Sequence, residues 1–163
     1  MKITVAKVSD LETILALQHH VFGLEAERVG NFELPALTQD MAGIKEDFSR
    51  GPILKAVEKG LVVGSVRGEI RDGSLLVTKL MVHPDARGRG VGAALMQMLE
   101  IKARNEHGAT RSELYTPNTS EHNIRFYQKL GYCVFGEKPH HSGVTFALLE
   151  KDLLPADSKP FSI

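Results

Sequence analysis

Residues 79–96, KLMVHPDARGRGVGAALM, dictate one local structure closely. The apolar run that contains Leu75, Leu76, Val77, Leu80 and Val82 has the composition of a buried strand. Pro84 turns the chain out of it. The basic, glycine-rich stretch Arg87-Gly88-Arg89-Gly90-Val91-Gly92 then opens straight into a helix expected to begin near Val91. The first N–H groups of a helix lack internal partners, and its dipole puts partial positive charge at that end. Glycines let the main chain wrap closely around a phosphate, while two arginines add charge and forked donors. A strand, a basic glycine turn and a helix in that order form an anion socket at the C-terminal end of a strand.

The rest of the chain gives this socket one setting. Its 163 residues predict a single domain over 1–154 with a loose tail at 155–163. Twenty basic and twenty acidic residues cancel, so nothing global points to nucleic acid or an anionic membrane. The charge that matters is local, in the glycine loop. One cysteine, Cys133, allows no internal disulfide and fits a reducing, cytoplasmic setting. No signal core or membrane-length apolar run is present.

Met1–Val8 alternates as a strand does, and Ser9 with Glu12 forms a capping box that predicts a helix from Asp10 to about Phe22. Leu11, Ile14, Leu15, Leu17 and Val21 are its apolar face. Residues 23–37 read as irregular, and Thr38 as the cap of a second helix through Phe48. Three strands follow at 53–58, 61–70 and 75–82, separated by the hairpin turns Lys59-Gly60 and Asp72-Gly73. The helix after the glycine loop should run to about Asn105, with Val91, Leu95, Met98 and Ile101/Lys102 as its stripe. A strand at 111–116, a helix at 120–130 closed by Gly131, and strands at 132–136 and 144–150 complete an α+β fold around one mixed sheet. Cys133 is expected as a small buried hydrophobe.

Two blocks now carry a resemblance. The run Leu80-Met81-Val82-His83-Pro84-(x)2-Arg87-Gly88-Arg89-Gly90-Val91-Gly92 resembles the cofactor motif of the GNAT acyltransferase superfamily, whose core Arg-x-x-Gly-x-Gly matches at Arg87, Gly90 and Gly92. Asn123-Ile124-Arg125-Phe126-Tyr127-Gln128-Lys129-Leu130-Gly131-Tyr132 is similar to that family's second signature. The element order matches the family fold from end to end. The resemblance implies a mixed, mostly antiparallel central sheet flanked by helices on both faces. It implies an N-acetyltransferase that moves an acetyl group from acetyl-CoA to a primary amine by direct transfer in a ternary complex, without a metal. Arg87–Gly92 would cradle the CoA pyrophosphate. Leu80, Met81 and Val82 would pair with the pantetheine arm, one N–H there meeting the thioester carbonyl. Tyr127 would protonate the leaving thiolate.

Some positions depart from the family pattern. Ser120 stands where many relatives carry a cofactor-binding asparagine, leaving Asn118 and Asn123 as the nearby candidates. Lys79 precedes Leu80 on the strand where many relatives carry a glutamate base, so Glu69 and His83 are the substitutes. The pairs His19-His20 and His140-His141 resemble metal pairs only superficially, because adjacent helical residues point apart. A dinucleotide fold would need its acidic residue at the end of the next strand, whereas Glu113 falls at the start. The resemblance also implies an acceptor wall built by the first two helices and their connection, at about Phe22–Phe48. There Glu25, Glu27 and Glu33 suit a cationic amine, and Phe22, Phe32, Leu34 and Leu37 suit an apolar pocket. The alternatives are a non-catalytic acyl-CoA sensor, which keeps the socket without turnover, and an interaction module, which predicts no CoA affinity. A homodimer through the last strands stays open.

Overall fold

The computed structural model describes residues 1–30 and 35–153. Its strands are β1 (Lys2–Val5), β2 (Ile53–Glu58), β3 (Leu61–Arg71), β4 (Ser74–Val82), β5 (Arg111–Pro117), β6 (Cys133–Pro139) and β7 (Thr145–Asp152). Its helices are α1 (Leu11–Val29), α2 (Pro35–Thr38), α3 (Met41–Arg50), α4 (Val91–His107) and α5 (Glu121–Lys129). The strands form one sheet in the order β1-β2-β3-β4-β5-β7-β6. Pairing is antiparallel in β1–β2, β2–β3, β5–β7 and β6–β7, and parallel in β4–β5. The expected α+β class, with a mixed and mostly antiparallel sheet, is the observed one. Two compact units divide the described residues: Met1–Glu69 with Thr78–Leu99, and Ile70–Val77 with Glu100 onward.

In the first unit the apolar face of α1 is buried as its spacing predicts. Leu11, Ile14, Leu15, Leu17 and Val21 join Ala6, Ile44, Ile53 and Met81 in one core, with Phe22, Met41, Phe48 and Val62 against it. The helix is longer than expected. It passes through Gly23 and ends only at Gly30, whose left-handed φ of 70° closes it. One glycine costs a helix only about 1 kcal/mol, and the helix formers at residues 24–28 outweigh it. Ser9 does not cap α1. A single 3-10 turn, Val8–Asp10, comes first, and the Asp10 carboxylate accepts from Lys7 N–H (2.7 Å) and Lys55 Nζ (2.8 Å). Thr38 does not cap α3 either. It closes α2 by donating to Pro35 O, and Asp40 takes the cap by accepting from Gly43 N–H at 2.9 Å.

Gly51, at the end of α3, meets β3 backbone to backbone. A Cβ built there would lie 2.0 Å from Gly68 O and 3.1 Å from Glu69 Cα. Neither atom can rotate away, so Gly51→Ala is expected to destabilise the protein by about 3 kcal/mol. A chemical-denaturation midpoint unchanged from wild type would contradict this close approach.

The buried arc of α4 is rotated from the expected stripe. Val91, Leu95, Met96, Leu99 and Ala103 are buried, while Met98 and Ile101 are exposed. In the second unit Leu75, Leu114, Leu149 and Tyr132 are buried. The Tyr132 hydroxyl donates to Glu100 (2.9 Å) and bonds Ser112 Oγ (2.7 Å), and Lys151 holds the other Glu100 oxygen at 2.6 Å. Cys133 is exposed, against expectation. It follows the buried Tyr132 and lies on β6, which among the described residues is an edge strand paired with β7 and bulged between Val134 and Gly136.

Candidate active site

The strand, the glycine turn and the helix beginning at Val91 follow one another as the sequence predicts. After β4 the His83 side chain caps a 3-10 turn over Pro84–Ala86, its Nδ1 accepting from Asp85 N–H at 3.1 Å. Ala86 is buried and pins the turn. Gly88 and Gly90 then take left-handed φ values of 76° and 80°, and among the described residues, chain neighbours aside, no heavy atom comes within 4 Å of where a Cβ would stand. Both therefore border open space. Ala94 N–H is the first to close back, onto Gly90 O at 3.0 Å. The N–H groups ahead of it in α4 have no internal acceptor. Donors, dipole and uncrowded backbone at Gly88 and Gly90 occur in one stretch, which fits a phosphate-bearing substrate such as a CoA thioester.

The two arginines differ. Arg87 is exposed, and among the described residues its side chain bonds Val82 O, through Nε at 3.4 Å. Arg89 forks onto Glu58, with Nη2 at 2.8 Å from one oxygen and Nη1 at 3.2 Å from the other. Its charge is largely spoken for. Gly64 of β3 seats the helix start. A Cβ there would stand 3.0 Å from Leu95 Cδ1 and 3.1 Å from Val91 Cγ1 and Met81 O.

On β4 the ladder to β5 registers Ser74 with Arg111, Leu75 with Ser112 and Leu76 with Glu113, and stops there. Lys79 takes a left-handed φ of 52°, costly by about 1–2 kcal/mol for a residue with a Cβ. That bend precedes Leu80, Met81 and Val82. Met81 is buried in the core, and its neighbours are half-buried.

In the second unit Tyr127 lies on α5 with its ring edge-on to Phe126 (5.1 Å) and Tyr132 (5.9 Å). Its residue surface is only half covered, yet burial pushes its phenol up to about 12. No hydrogen bond reaches that hydroxyl among the described residues. Tyr132, by contrast, is a bonded structural phenol. Asn123 donates to Thr116 Oγ1 at 3.4 Å, and Asn118 is exposed with its main-chain N–H on Thr145 O.

Of the two base candidates, His83 is a turn cap whose ring also stacks on His20 at 5.3 Å. Glu69 is half-buried on β3. In the segment expected to form the acceptor wall, Glu25 pairs with Arg28, and Phe22 packs against the core. Phe32, Glu33 and Leu34 lie outside the described residues. One cluster escaped the sequence reading. Arg67 of β3, nearly fully buried, bonds Gln18, Gln39 and Asp47, and Asp47 also holds Lys79. The available signal was Gln18, a polar residue four positions after Ile14 on the apolar face of α1.

Residues 49–134 match the model of the acetyltransferase (GNAT) domain. Blasticidin-S acetyltransferase of Streptomyces morookaense is 34% identical over 97 residues, covering 59% of this chain and 70% of that protein. Aminoglycoside 6′-acetyltransferase type Ii superposes with a TM-score of 0.76 at 18% identity, over 95% of this chain and 99% of the other. The PaiA N-acetyltransferase of Thermoplasma acidophilum, solved in complex with coenzyme A, gives 0.73 at 17% identity, over 93% and 99%. At these identities the two structures speak for the fold alone.

Proposed function

The chain belongs to the GNAT acetyltransferase family, and we propose that it moves an acetyl group from acetyl-CoA to a primary amine by direct transfer in a ternary complex. The observation that carries this reading is the open loop Gly88–Gly90 running into the uncapped start of α4. Its N–H groups hold the diphosphate, and Arg87 supplies the mobile charge. Leu80, Met81 and Val82 hold the pantetheine arm through main-chain groups, and one N–H there binds the thioester oxygen. The acceptor nitrogen attacks the thioester carbon, and charge develops on that oxygen. A prepositioned N–H stabilises the oxyanion by about 3 kcal/mol in a water-poor setting. As the tetrahedral intermediate collapses, the carbon–sulfur bond breaks, and Tyr127 gives its proton to the departing thiolate.

The attacking ammonium must first lose a proton, and Glu69 is the better candidate for receiving it. His83 Nδ1 is occupied by Asp85 N–H, so that ring serves the turn. Glu69→Gln is expected to lower kcat/KM about tenfold to a hundredfold and to remove the acidic limb of its pH profile. An unchanged acidic limb in that variant, with a changed one in His83→Ala, would transfer the role to His83. The name of the 34%-identical relative supports a small polar amine as acceptor rather than a protein.

Calorimetric titration with acetyl-CoA, CoA and NADH tests the donor assignment. Saturable binding of the first two, and none of NADH, is the expected result. Binding of NADH, or of none of the three, would refute it.

A further inference from the structure

The proposed transfer makes no use of the cluster on α1, α3, β3 and β4. Arg67 Nη1 (2.9 Å), Gln39 Nε2 (3.0 Å) and Lys79 Nζ (3.3 Å) all converge on one oxygen of Asp47, Oδ2. The second Arg67 nitrogen donates to Gln18 Oε1. Both glutamines are fully engaged with the rest, since Gln18 Nε2 donates to Ala36 O (2.6 Å) and Gln39 Oε1 (3.0 Å). Arg67 Nη1 also reaches Gln39 Oε1 at 2.8 Å. The arrangement thus holds two cations against one carboxylate. Among the described residues Arg67 Nε is buried without an acceptor, and Lys79 Nζ makes one long hydrogen bond.

This imbalance has a direction. The Arg67 side chain is 3% exposed, whereas those of Lys79 and Asp47 are 22% and 21% exposed. Asp47, which burial alone would raise, is held below the usual carboxylate range by Gln39, Lys79 and Arg67. It is a committed anion with its donors in place. Burial lowers Lys79; Asp47 pulls it back up and Arg67 pushes it further down. An additional negative charge at the Lys79 ammonium would relieve that repulsion. A carboxylate, with two acceptor oxygens, suits an ammonium whose carboxylate partner Asp47 is shared with Arg67 and Gln39.

We infer that Lys79, backed by Arg67, receives a carboxylate carried by the acceptor, so that the substrate class is an amine that also bears a carboxylate. This inference rests on the acetyltransferase reading. Lys79 directly precedes Leu80–Val82, the segment proposed to hold the thioester. Glu69 lies two residues beyond Arg67 on the same face of β3, about 6.6 Å along the strand. An amino acid could thus present its amine to Glu69 while its carboxylate rests on Lys79. Neither Arg67 nor Lys79 reacts; both position the acceptor.

The test uses α-, β-, γ- and longer ω-amino acids, each paired with its carboxamide. Thiol release from acetyl-CoA is measured with wild type, Lys79→Met and Lys79→Arg. Wild type should prefer at least one acid over its amide by about tenfold or more in kcat/KM. Lys79→Met should lose about 10- to 100-fold on that acid and little on the amide, and Lys79→Arg should recover part of the loss. Lys79→Met should fold, because Asp47 keeps Arg67 and Gln39. The inference is overturned by equal or better turnover of the amides, by no turnover of any acid while acetyl-CoA binds, or by equal losses on both in Lys79→Met. Absence of acetyl-CoA binding in the same preparation would instead remove the acetyltransferase reading, and this inference with it.

Discussion

Gly90→Val is expected to abolish acetyl-CoA and CoA binding, at least a hundredfold in affinity, in a protein that still folds. Gly90 sits at φ 80° and borders open space. Valine cannot hold that conformation cheaply, so the loop would reorganise at a cost of about 1–2 kcal/mol. That is small beside a typical domain stability of about 5–15 kcal/mol. The loss in binding is larger because the N–H groups of the loop and helix start act together. Hydrogen bonds to a charged group are worth about 1.5–3 kcal/mol each, so misdirecting two of them already exceeds a hundredfold. Calorimetry, with a denaturation midpoint for the same preparation, separates the two effects. Near-normal affinity in the folded variant would show that the diphosphate does not lie on this loop.

Tyr127→Phe should lower kcat by about 10²- to 10⁴-fold while leaving acetyl-CoA affinity within about twofold. The Tyr127 hydroxyl has no partner among the described residues, so its removal orphans nothing, and stability should hardly move. The same change at Tyr132 would strip Glu100 and Ser112 of a partner and should destabilise the fold. Burial pushes the Tyr127 phenol up to about 12, so it keeps its proton through the neutral and moderately alkaline range. The shape of the pH profile should therefore be the same in wild type and variant, with only its height changed. Equal kcat values would reduce Tyr127 to a packing residue between Phe126 and Tyr132.

The elements that could be read from the sequence are those in which local chemistry and tertiary packing agree. The glycine loop, the start of α4 at Val91, the two hairpin turns and the apolar face of α1 all required specific residue types at fixed offsets. Misreadings arose where a distant partner decided the outcome. Gly23 looked like a helix end, but α1 continues to Gly30. Asp40 outcompeted Thr38 as a cap because its carboxylate reaches Gly43 N–H. Met98 and Ile101 looked like core, yet the buried arc of α4 runs through Met96, Leu99 and Ala103. Cys133 was assigned to the interior because nothing local marks β6 as an edge strand. The Arg67 cluster draws on four separated segments and on α2, so no single motif could reveal it. The ion pair of Arg89 with Glu58, 31 residues away, is likewise invisible in the loop sequence, and it leaves the expected phosphate role of Arg89 standing as an expectation.

Two-substrate initial-rate kinetics test the central claim most directly, with thiol release from acetyl-CoA followed against a panel of primary amines. The account predicts that at least one amine raises thiol release well above the buffer rate, with intersecting double-reciprocal lines and the N-acetylated amine as product. Saturable acetyl-CoA binding with no amine raising thiol release would contradict it, and would leave a domain that senses acyl-CoA without transferring the acyl group.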